Sequence, residues 1–100
     1  MKVIETLVEK IDEELHDAKS YIKLACENKE EYPSLANVYY KLSLEEMNHA
    51  TVLHDQVVSI INDIKRTKEV PAGMQTLYDY LHNKQIKKAA KIKSMQDSYK

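Results

Sequence analysis

Apolar residues recur along most of the chain with the alternating three- and four-residue spacing of amphipathic helices. In the first segment Ile4, Leu7, Ile11, Ala18, Tyr21 and Ala25 hold the stripe, and Val8, Leu15 and Ile22 widen it. Glu14 stands where this stripe calls for an apolar residue, with Leu7 and Tyr21 one heptad to either side. The heptad neighbours of Glu13 are Thr6 and Ser20, so Glu13 faces water. In the second segment the stripe reads Tyr39, Leu42, Glu46, His49, Leu53, Gln56 and Ile60, interrupted by a Glu and a His one turn apart. Glu45 has Val38 and Val52 at heptad spacing, so phase alone does not separate it from Glu46. Further apolar positions (Val38, Val52, Val57, Ile61, Ile64) predict that this helix touches more than one neighbour. The third segment carries Met74, Leu77, Tyr78, Leu81, Ala89, Ile92 and Met95, with Ile86 and Ala90 alongside, and opposes them with Lys84, Lys87, Lys88 and Lys91.

Two stretches break the pattern. Pro33 in Glu30–Ser34 pushes Tyr32 out of helical geometry and suits the first turn of a following helix. Lys68–Gly73 holds the other proline and the only glycine. The helices are therefore predicted near 2–29, 34–66 and 73–98. They form a hairpin over 1–66, a linker over 67–72 and a basic amphipathic helix over 73–100, within one domain. One Gly and two Pro in 100 residues cannot supply the turns of a many-stranded fold or a phosphate-binding loop. The expected class is all-α. A 43% hydrophobic, 31% charged chain is too apolar for disorder and too charged for a membrane span.

Charge is distributed unevenly. Residues 1–64 carry 13 acidic and 6 basic side chains, net −7, and residues 65–100 carry 3 and 9, net +6. A basic tail suits nucleic acid or an acidic neighbouring surface. Without Phe, Trp or a Gly/aromatic signature, the neighbouring surface is the expected partner rather than nucleic acid. Cys26 is the sole cysteine, so no intrachain disulfide forms, and the early charges of Met1–Glu5 do not read as a secretory signal. A cytoplasmic protein is expected.

If the first two helices turn near residues 30–33, positions whose numbers add to about 60–64 face each other. Glu14 then meets Glu46 and His49, and Tyr21 meets Tyr39. The strongly polar intrusions thus share one level of the hairpin, with no Lys or Arg on either stripe there. Two carboxylates in an apolar seam cost several kcal/mol each unless a cation compensates them. Carboxylates with a neutral imidazole are ligands for first-row transition metals, and Glu and His at i and i+3 can hold one ion together. Carboxylate-bridged di-iron bundles use two single Glu and two Glu-x-x-His segments. One hairpin supplies half of that set, and a twofold-related copy supplies the rest.

The run Glu45-Glu46-Met47-Asn48-His49-Ala50 resembles the Glu-x-x-His-Ala segment of bacterioferritins and rubrerythrins, and Glu14 with Tyr21 is similar to the Glu and Tyr of their first helix. The resemblance to this ferritin-like superfamily covers residues 1–64 and hardly extends to the third helix. In plan the chain looks like a half-size encapsulated ferritin. That resemblance implies a four-helix bundle completed by dimerisation and a subunit-shared site with two irons per dimer interface. It also implies ferroxidase oxidation of Fe(II) by dioxygen or peroxide, in iron storage or detoxification. Glu14 is implied as a bridging or terminal ligand, Glu46 as bridging and His49 as terminal, with a homodimer or higher even oligomer. Glu46 is favoured over Glu45 on the same ground. An encapsulating shell would be the compartment, although residues 94–100 carry no targeting tail. Met47 adjoins Glu46 as a haem-ligand methionine does in bacterioferritins, but it lies one position off the stripe and haem is not expected.

A second Glu-x-x-His, Glu13 to His16, lies off the stripe and reads as a surface pair. His54 and His82 read as surface residues. Tyr21 and Tyr39 read as core tyrosines whose hydroxyls could reach Glu14 and Glu46, and with Glu45 they are the candidate outer shell of the site. The competing function is a non-catalytic helical assembly module in which the polar layer only fixes register and oligomer state.

Overall fold

The computed structural model describes residues 2–67 and 72–100. They form three helices, α1 (Lys2–Asn28), α2 (Pro33–Thr67) and α3 (Ala72–Tyr99), and no strand occurs among the described residues. The helices lie side by side in a rod of 56 × 18 × 17 Å. The first expected break is a tight turn. Asn28 Nδ2 donates to the Leu24 carbonyl and the Tyr32 amide to the Asn28 carbonyl, closing α1 before Pro33 opens α2 at its first helical position. The linker expected over 67–72 has Thr67 as the last residue of α2 and Ala72 as the first of α3, and residues 68–71 lie outside the described residues.

Helix α1 buries Ile4, Val8, Ile11, Leu15, Ala18, Ile22 and Ala25, while Leu7, Glu14 and Tyr21 form the half-buried edge of the same stripe. The inner line of α2 differs from the expected one. Ala36, Ser43, Ala50 and Val57, at strict heptad spacing, are buried, and Tyr39, Glu46, Leu53 and Ile60 flank them half-buried. His49 and Gln56 are exposed. Small side chains cause this shift. Ala18 and Ala25 on one helix and Ala36, Ser43 and Ala50 on the other let the backbones approach, so larger stripe members are displaced to the rim.

Helix α3 seats on the other side of the hairpin. Its buried positions are Gln85, Ile92 and Gln96, whereas Leu77, Ile86 and Ala90, expected on the apolar face, are exposed. The glutamines take the inner places because they have partners there. Gln96 Nε2 donates to Ser43 Oγ at 2.9 Å, and Ser43 Oγ donates to the Ala18 carbonyl at 2.7 Å, joining all three helices. Gln85 Nε2 lies 3.2 Å from both the Val8 carbonyl and Asp12 Oδ1. Stacking of Tyr99 on Tyr40, with centroids 4.7 Å apart, fixes the far end of α3 beside the hairpin turn. No helix among the described residues is long and apolar enough to cross a membrane.

Candidate metal centre

The hairpin register brings the expected residues together. Ser43 meets Ala18, the rings of Tyr21 and Tyr39 stack with centroids 6.2 Å apart, and one level further from the turn Glu14 meets Glu46 and His49. His49 Nδ1 lies 3.5 Å from Glu14 Oε2 and 3.7 Å from Glu46 Oε2. One ligand atom from each of the three residues falls within 4.8 Å of the other two. The Glu14 and Glu46 side chains keep 25% and 19% of their exposure, and His49 keeps 54%, so the carboxylates are sunk in the seam and the imidazole stands at its rim.

Electrostatics sets Glu46 apart. A hydrogen bond with the Glu14 carboxyl, then burial and the Glu14 charge, push its pKa up to about 7, against a weaker opposing pull from His49. Among the described residues no Lys or Arg forms an ion pair with either carboxylate. Two oxygen donors are thus held together at the expense of sharing a proton, and a neighbouring imidazole adds nitrogen. That donor set fits a first-row transition ion, which would take the proton's place between the carboxylates.

The ambiguity at 45/46 has a geometric answer: Glu45 is exposed and Glu46 turns into the seam. Tyr21 and Tyr39 are half-buried, but among the described residues neither hydroxyl hydrogen-bonds to Glu14 or Glu46. Their rings stack on each other one level nearer the turn instead. Glu13 and His16 are both exposed, and Glu13 pairs with Lys10 at 3.2 Å. Met47 packs against the core and lines a cavity walled by all three helices, whose lining includes none of Glu14, Glu46 and His49.

Two features were missed by sequence reasoning. His54 and His82, expected at the surface, are half-buried and stack with centroids 4.6 Å apart, and Tyr78 stacks on the second ring. Burial and His54 hold the His82 imidazole below its usual range. The signal available was that each lies one position off its helix's apolar stripe, which a single-helix pattern cannot turn into a pairing. The second feature is a cationic hollow between α1 and α3, lined by Lys19, Lys88 and Lys91 with His16 over Leu15 and Ile92. Lys91, Lys23 and Lys88 lower the Lys19 pKa.

No protein-family model, curated protein or solved structure matches the chain.

Proposed function

We propose that the chain is a ferritin-like di-iron protein whose ferroxidase site is shared between two copies. The observation that carries this reading is the position of the Glu14–Glu46–His49 group on the side of the hairpin that α3 leaves open. Val3, Leu35, Val38 and Val52 are exposed and Leu7, Leu42 and Leu53 half-buried, and helical phase directs them toward this side rather than toward α3. An apolar surface beside two half-buried carboxylates and an exposed imidazole suits a twofold-related second hairpin. Two copies bring four carboxylates and two imidazoles to one level, the donor set of a di-iron bundle.

In this reading Fe(II) is the substrate. Glu14 and Glu46 release their shared proton as iron binds, and their oxygens then balance the added charge as each Fe(II) gives one electron to dioxygen or peroxide. His49 supplies a neutral nitrogen from the rim, where iron enters. The basic outer face of α3 packs on acidic hairpins of neighbouring dimers, and the assembly is cytoplasmic, in the open or within a protein shell. Anaerobic Fe(II) loading followed by air, on the wild type and Glu46→Ala, tests the function. Two irons per dimer and rapid oxidation, both lost in the variant, support it. A stable, iron-free dimer that oxidises nothing supports the assembly-module reading in its place.

A further inference from the structure

We propose that His54 and His82 form a second metal site, a two-histidine clip for a late divalent transition ion that joins α2 to α3. The two rings come from different helices, and His54 Nε2 stands 3.1 Å from His82 Nδ1. Two nitrogens bound to one ion at about 2.0–2.1 Å stand about 2.9–3.4 Å apart for angles between square and tetrahedral. The pair is therefore at chelating separation; the contact is a hydrogen bond between the two rings, and a bound ion would displace the proton they share.

Two surrounding features favour an ion. Asp55 Oδ1 lies 3.9 Å from His54 Nδ1, the ring nitrogen directed away from the pair. That separation is too long for a hydrogen bond, so the carboxylate fixes no tautomer and contributes only negative charge beside the pair. The pair also borders a cavity of about 160 Å³ that Met47, Thr51, Gln85 and Ile86 help to line. The rest of its lining is apolar (Ile11, Leu15, Ala50, Ala89), so the waters that complete the coordination of an ion held by two protein ligands would reach it from the open, solvent side. Imidazole nitrogens select zinc, copper or nickel over the hard cations magnesium and calcium.

This site is independent of the Glu14–Glu46–His49 group, and its test removes that group. In Glu14→Gln/Glu46→Gln/His49→Ala protein, calorimetric titration with Zn²⁺ is expected to give one ion per chain, with no Mg²⁺ bound. Adding His54→Ala or His82→Asn is expected to weaken Zn²⁺ binding by about tenfold or more, with helical circular dichroism retained. In the wild type, imidazole NMR resonances of His54 and His82 should move together on Zn²⁺ addition, a readout that needs no variant to fold. Zinc affinity unchanged by either histidine substitution, or lost instead on Cys26→Ser, overturns the site. Resonance shifts confined to His16 and His49 overturn it as well.

Discussion

Two polar layers cross this bundle, and they are built on opposite terms. On the side covered by α3, Ser43, Gln96 and the Ala18 carbonyl form a neutral chain of hydrogen bonds in which both side chains are buried. On the open side, half-buried Glu14 and Glu46 and exposed His49 form an ionisable layer, in which the carboxylates have, among the described residues, only each other and one imidazole. A neutral layer that leaves no buried side-chain polar atom without a partner among the described residues sets helix register and needs nothing more. A pair of carboxylates that must share a proton at a half-open seam is incomplete until a cation or a second chain supplies what it lacks. Closure marks the first as structural, and incompleteness marks the second as the candidate site.

The contrast predicts a double dissociation. Replacing His49 by Ala removes a rim ligand that is 54% exposed, so Fe(II) oxidation measured by stopped-flow absorbance should fall about 100-fold or more. Its urea midpoint should barely move. A His49→Ala protein that oxidises iron at the wild-type rate would break the distinction between the layers. Val38→Asp places a charge on the exposed apolar surface around the site. Sedimentation velocity should show monomers, with oxidation lost by about tenfold or more. Dimers of undiminished activity would remove that surface from the account.

Ser43→Ala acts on the other layer. It strands the Gln96 amide in a buried place, which should cost about 1–3 kcal/mol in urea denaturation. Iron binding per folded chain should stay unchanged. A smaller, pH-linked effect distinguishes the layers without mutation. Glu46 in the folded, metal-free protein keeps its proton up to about 7, against 4.5 when unfolded. The folded state therefore binds more protons across that window, so stability is greatest below about 4.5 and declines as pH rises through 7. The decline should be absent in Glu46→Gln, and a pH-independent wild type would show that the carboxylates do not share a proton. Glu13→Ala, in the exposed copy of the Glu-x-x-His spacing, should alter stability by no more than about 0.5 kcal/mol and leave oxidation untouched.

The ionisable layer was legible in the sequence because it violates a pattern. Glu14 interrupts a heptad of apolar residues, and the antiparallel register then carries it to Glu46 and His49 without further information. The neutral layer obeys no such rule. Ser43, Gln85 and Gln96 look like ordinary surface residues in a helical pattern, and only the approach of three helices shows that each finds a buried partner. The same limit hid the meeting of His54 with His82, which depends on how α3 seats against α2. Phase left Glu45 and Glu46 unresolved because valines flank Glu45, and the close approach at Ala50 and Ser43 rotates Glu46 inward. Local periodicity thus carried the hairpin and its exceptions, while the third helix depended on contacts that its own apolar pattern does not encode.

In the proposed function the open layer is half of a site that a second copy completes. Anaerobic titration of the full chain with Fe(II), followed by native mass spectrometry, tests it most directly. Iron-loaded dimers carrying two irons are expected, with monomers carrying none. Monomers that bind iron fully would contradict it, as would dimers that remain empty at saturating Fe(II).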